Sequence, residues 1–137
     1  MNQYVLDACA LIALLRDEIG ANKVNAIINA AYNGSAVIVM NKLNLLEVYY
    51  DSYRLYGKTQ ADIIITKFKK LPVSVNSEIT DKLFAEAGRL KATYKISLAD
   101  AIALAEASVQ DRIIVTADHH EFDIIEQHEK INFLWIR

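Results

Sequence analysis

The sequence predicts an α/β domain, a mainly parallel sheet of four to five short strands covered by helices. Apolar runs of four or five residues alternate with longer stretches at helical spacing, the pattern of a sheet wrapped on both faces. Only four Gly and one Pro occur, too few for the closely spaced turns of an all-β sandwich. At 137 residues, with 53% apolar and 23% charged side chains, the chain (1–137) forms one domain with one core, not a disordered segment.

In chain order, Gln3 to Leu6 is a strand and Ala8 to Asp17 a helix, with no breaker before Gly20. Ala21 to Tyr32 carries Val24, Ile27, Ile28 and Ala31 on one helical stripe that stops at Asn33-Gly34. Ala36 to Met40 is a second buried strand. Lys42 to Tyr56 is a long helix ended by Gly57, and Thr59 to Leu71 is a helix halted by Pro72. Val73 and Val75 mark a short strand, Ser77 opens a helix to about Thr93, and Ser97 opens one to about Gln110. Ile113 to Thr116 is a β-branched strand, Glu121 to Glu129 a helix, and Asn132 to Ile136 a closing strand.

Several classes drop out early. One cysteine, Cys9, allows neither an internal disulfide nor a Cys-based zinc site; it reads as a small core residue with no base nearby. The first residues lack a basic region and Asp7 interrupts their apolar run, so no secretory signal or membrane span is read and a cytoplasmic protein is expected. Net charge is −2, but nine basic residues against four acidic ones lie between Arg54 and Lys95. Such asymmetry suits either a polyanion-binding surface or solvated helix faces, with Lys67, Lys69 and Lys70 as candidate phosphate contacts.

Four carboxylates stand among apolar neighbours: Asp7 in YVLDACAL, Glu47 in NLLEVYY, Asp100 in SLADAIALA and Asp118 in VTADHHEFD. Burying an ionised carboxylate is costly unless it is paired or holds a metal. Asp7 and Asp118 follow strands, and the carboxyl ends of strands are where parallel sheets bind ligands. Taken singly, Asp7, Asp100 and Asp118 also read as helix caps. Glu47 lies mid-helix and has no such role, so its alternative is a partly exposed partner of Arg54. If the acids converge, they repel one another and must take up protons or a cation. Oxygen donors select Mg²⁺ or Mn²⁺, a set suited to phosphodiester hydrolysis.

The order and context of these residues resemble the PIN-domain ribonucleases, in particular the VapC-type toxins of toxin–antitoxin pairs. The resemblance spans residues 4 to 136. It implies a three-layer PIN-like fold and an Mg²⁺- or Mn²⁺-dependent endoribonuclease that cuts structured RNA, forms a homodimer and is silenced by a cognate antitoxin. Asp7, Glu47 and Asp100 would hold the metal together with Asp118, favoured over Glu121 as nearer the strand end, and Thr116 and Asn44 would support them by hydrogen bonds. The chain departs from the family at Cys9, where many relatives carry Ser or Thr, and at Glu121, where many carry Asp.

Tyr49, Tyr50, Tyr53 and Tyr56 crowd one helix, as packing against Ile63, Ile64 and Phe68 or as a groove for an antitoxin helix or a base. His119 and His120 are expected in a solvated loop, not on a metal. Asp7-Ala8-Cys9 lacks the second Asp of dehalogenase-type phosphatases, and the acidic pair of receiver domains is missing. A non-catalytic PIN-like module binding RNA or protein is the alternative function.

Overall fold

The computed structural model describes residues 1–137. Five strands alternate with seven helices. These are β1 (Asn2–Leu6), α1 (Ala8–Leu15), α2 (Ala21–Tyr32), β2 (Ala36–Asn41), α3 (Lys42–Tyr56), α4 (Lys58–Phe68) and β3 (Val73–Asn76). There follow α5 (Asp81–Thr93), α6 (Leu98–Val109), β4 (Ile113–Thr116), α7 (His119–His128) and β5 (Asn132–Trp135). The sheet order is β3-β2-β1-β4-β5 and every pairing is parallel. β1 therefore sits between β2 and β4, where chain connections leave the sheet in opposite directions and open a crevice at the strands' carboxyl ends.

Period-two alternation along the central strands divides the core. Val5 and Ile114 face a cluster with Leu83, Leu90, Leu104 and Phe122 from α5, α6 and α7. Their neighbours Leu6 and Val115 face the opposite cluster, with Leu11, Val24, Ile28, Val48 and Phe68 from α1 to α4. The result is three layers, helices on both sides of one sheet. No helix is long and apolar enough to cross a membrane.

The predicted elements are present, with shifted ends. α5 starts at Asp81, not Ser77, because the Thr80 hydroxyl accepts from the Leu83 N–H at 3.2 Å. Ahead of it, Asn76 Oδ1 accepts from the Glu78 N–H and holds a turn. α1 stops at Leu15, and Asp17 takes a left-handed φ of 52°. α4 ends at Phe68, three residues before the predicted Leu71. α7 begins at His119, since Asp118 accepts from the Glu121 N–H and so caps the turn that contains both histidines. His119 and His120 thus lie in a helix, not a loop. The His119 ring stacks on Trp135 at 3.8 Å and bonds to Asp123 and the Arg137 carbonyl.

Gly20, in the turn between α1 and α2, lies against Ile136 near the C-terminal end. Its φ is +100°, and a Cβ there would meet the Ile136 carbonyl oxygen at 2.8 Å. Gly20→Ala should lower stability by about 1–3 kcal/mol in urea unfolding through combined strain and clash. An unchanged midpoint would show that β5 and the α1–α2 turn do not depend on this contact.

Candidate active site

Asp7 follows β1 without a spacer, so the backbone must leave the sheet and enter α1 at the carboxylate itself. Its Oδ1 accepts from the Ala10 N–H at 2.9 Å, which makes Asp7 the N-cap of α1, and the residue is 4% exposed. The Cys9 sulfur lies 3.2 and 3.4 Å from the two Asp7 oxygens, accepts from the Ala117 N–H and meets the Thr116 hydroxyl at 3.5 Å. Burial, then the Asp7 charge, push the Cys9 thiol up to about 12, so it stays protonated and donates. Cys9 is therefore half-buried at the acid, not a plain core residue.

Burial dominates Asp7 and pushes its carboxyl up to about 6, with Asp100 adding a smaller push; hydrogen bonds from Thr116, Ala10 and Cys9 oppose both. Asp100 lies in the first turn of α6, where the Ser97 hydroxyl accepts from its N–H at 3.1 Å. Burial first, then the charges of Asp118 and Glu47, raise Asp100 to about 6. Glu47 projects from the second turn of α3, half-buried and without a hydrogen bond. Burial raises it, followed by the charges of Asp7, Asp51 and Asp118. Arg54 is not its partner, because that guanidinium pairs with Asp51 at 2.9 Å.

Charge links these acids pairwise at the carboxyl edge of β1 and β4: Asp100 raises Asp7, Asp7 and Asp118 raise Glu47, and Asp118 and Glu47 raise Asp100. Asp118 acts on both Glu47 and Asp100, whereas Glu121 acts on Asp100 alone and least. None of the four is paired with Lys or Arg. They do not form a closed cage, for no three acidic, His or Cys side chains stand together at metal-binding separations. The donor set nevertheless suits a hard divalent cation: uncompensated carboxylates whose ionisation burial and mutual repulsion already oppose.

Thr116 and Asn44 sit beside these acids. Thr116 is fully buried and its hydroxyl accepts from the Asp118 N–H at 3.1 Å. Asn44 on α3 donates to the Ala99 carbonyl at 2.9 Å, which ties α3 to the start of α6, and its buried Oδ1 has no protein partner. Lys67, Lys69 and Lys70 are exposed at the far end of α4, where the Tyr32 hydroxyl bonds the Lys70 carbonyl near the strands' starting edge. The fold does not bring them to the acids. The basic groups tied to the acidic edge are Arg16 and Arg54, both held by Asp51 one turn beyond Glu47 and lying over the Tyr56 and Tyr50 rings. Sequence reasoning missed them, although Asp51 and Arg54 stand at the spacing of a helical ion pair.

The fold has known counterparts. VapBC-1 from nontypeable Haemophilus influenzae is 18% identical, with a TM-score of 0.72 over 98% of each chain. VapBC2 from Rickettsia felis, bound to a DNA fragment from their promoter, is 16% identical, with a TM-score of 0.73 over 96% of this chain and 97% of that one. Mycobacterium tuberculosis VapC20, described as a Sarcin-Ricin loop cleaving toxin, is 15% identical, with a TM-score of 0.62 over 81% of this chain and 86% of that one. No curated protein sequence matches. The PIN domain model matches residues 4–126, which include all four acids, and the chain belongs to the PIN domain family.

Proposed function

We propose that this PIN domain is a divalent-metal-dependent endoribonuclease of the VapC toxin type. The observation that carries the reading is the group of unpaired acids, Asp7, Glu47, Asp100 and Asp118, which repel one another at the edge where parallel sheets bind ligands. Asp7, Glu47 and Asp100 would hold Mg²⁺ or Mn²⁺, with Asp118 ahead of Glu121 as the fourth acid because it acts on two of the three. A cation held there supplies the charge that neutralises a phosphodiester and activates water for its hydrolysis.

The chain's own residues do the rest. Cys9, Thr116 and the Ala10 N–H fix the Asp7 carboxylate in one orientation. Glu47, free of hydrogen bonds, can swing toward a cation. Asp7 and Asp100, raised to about 6, give up their protons readily when positive charge arrives. Arg16 and Arg54 are suited to exchanging Asp51 for an RNA phosphate.

The VapBC neighbours support one further part of the proposal, a cognate antitoxin, and the Sarcin-Ricin loop cleaving neighbour supports a structured RNA target; a homodimer is proposed with them. Leu46, Tyr50, Tyr53 and Tyr56 leave an apolar, half-exposed side on α3, a surface suited to the antitoxin. Tyr53→Ala should weaken antitoxin binding tenfold or more while cleavage by the free protein is unchanged. Equal affinity would move the antitoxin surface elsewhere.

Labelled structured RNA, incubated with purified protein, should be cut only with Mg²⁺ or Mn²⁺, and Asp7→Asn should reduce cutting at least a hundredfold. Binding without cutting by both proteins would favour a non-catalytic module. The charge argument also sets a pH dependence. Between about 4 and 6 the native Asp7 holds a proton that the unfolded chain has released, so stability falls as pH rises through that range. Without divalent cation, Asp7→Asn should therefore stabilise the protein by about 1–3 kcal/mol at pH 7 and by little at pH 4. The asparagine still caps α1. Destabilisation at pH 7 in urea titrations would contradict a buried Asp7 charge that costs stability.

A further inference from the structure

Glu106 is the one buried acid that this mechanism does not use. It lies in α6 within the apolar run Ala101–Ala107, is 3% exposed and pairs with no Lys or Arg. One of its oxygens, Oε1, accepts from two side-chain amides, Asn41 Nδ2 at 2.8 Å and Asn76 Nδ2. These asparagines end the adjacent parallel strands β2 and β3 and face each other in register.

Asn41 has a second task. Its Oδ1 accepts from the Leu43 N–H at 2.9 Å and caps α3, which follows β2 with no spacer. An asparagine amide can point either way, and only one orientation caps the helix. An acceptor opposite Nδ2 selects that orientation, and Glu106 Oε1 is that acceptor. One turn further, Asn44 ties α3 to Ala99, and Glu47 lies one turn beyond that. Glu106 shares α6 with Asp100, so the same helix that presents one acid orients the cap of the helix presenting another. A leucine would pack at such a buried position at lower cost than an unpaired charge, which suggests that the carboxylate serves geometry more than stability.

We propose that Glu106 is a positioning residue: by orienting the Asn41 amide that caps α3, it fixes where α3 presents Asn44 and Glu47 to the acidic site. The inference rests on reading those acids as a cation site.

A double-substitution cycle tests it, with Mn²⁺ affinity and amide hydrogen exchange at Leu43 and Asn44 as readouts. Asn41→Asp keeps a capping oxygen but sets a carboxylate against Glu106. Mn²⁺ affinity should fall tenfold or more and exchange should speed up by a similar factor. Adding Glu106→Gln should return both to within threefold of wild type, because the new amide donates to the new carboxylate and still accepts from Asn76. Glu106→Gln alone keeps an acceptor for both asparagines and should also stay within threefold, so the inference is tested even if Asn41→Asp alone does not fold.

Three results overturn the inference: wild-type values in a folded Asn41→Asp variant, a double variant no better than that single one, or a tenfold loss in Glu106→Gln alone. Failure of the parent reading looks different, since wild-type protein would then neither bind Mn²⁺ nor cut RNA. The exchange readout, which needs no cation, would still decide whether Glu106 sets α3.

Discussion

Burial of carboxylates that have no basic partner, at the edge of a parallel sheet, is the constraint on which the rest of this molecule depends. Asp7 and Asp100 are each pushed up to about 6, by burial first and by neighbouring acids after it. A fold that holds such groups together without a basic partner gives up stability at neutral pH. The sheet order accounts for how it does so. β1 lies between β2 and β4, and the acids that follow β1 and β4 are joined by Glu47 from the helix after β2 and Asp100 from the helix before β4.

Capping and ligation are compatible in this arrangement. Asp7 and Asp118 each cap a helix, and Asp100 lies in the first turn of α6, so three of the four acids stand at helix N-termini. The partial positive charge there offsets some of the repulsion, and the capping bonds fix the side chains. The capping bonds of Asp7 and Asp118 engage Oδ1; Oδ2 of Asp7 receives only the weak Cys9 thiol contact at 3.4 Å. Serving as caps thus does not exclude these residues from the proposed cation site.

Much of the fold was legible in the sequence because strand and helix periods are local signals. Leu6 beside Asp7 and Thr116 near Asp118 already marked where the strands end. The misplaced boundaries had competing local chemistry: Ser77 and Thr80 both resemble caps, and a turn held by Asn76 decided for Thr80. Lys67, Lys69 and Lys70 stand apart from the acids for another reason. Charge density along the chain carries no direction, and α4 runs back toward the edge where the strands begin. Glu106 stood in an apolar run as plainly as Glu47 did, but its partners are 65 and 30 residues away, and no spacing rule reaches that far.

The most direct test of the central claim is where a divalent cation settles. Mn²⁺ added in small amounts to isotope-labelled protein broadens amide signals near its binding site. Signals around Asp7, Glu47, Asp100 and Asp118 should broaden together and first. Broadening centred on other acids such as Asp62 or Glu86, or spread evenly over the surface, would contradict a shared cation site at the sheet edge.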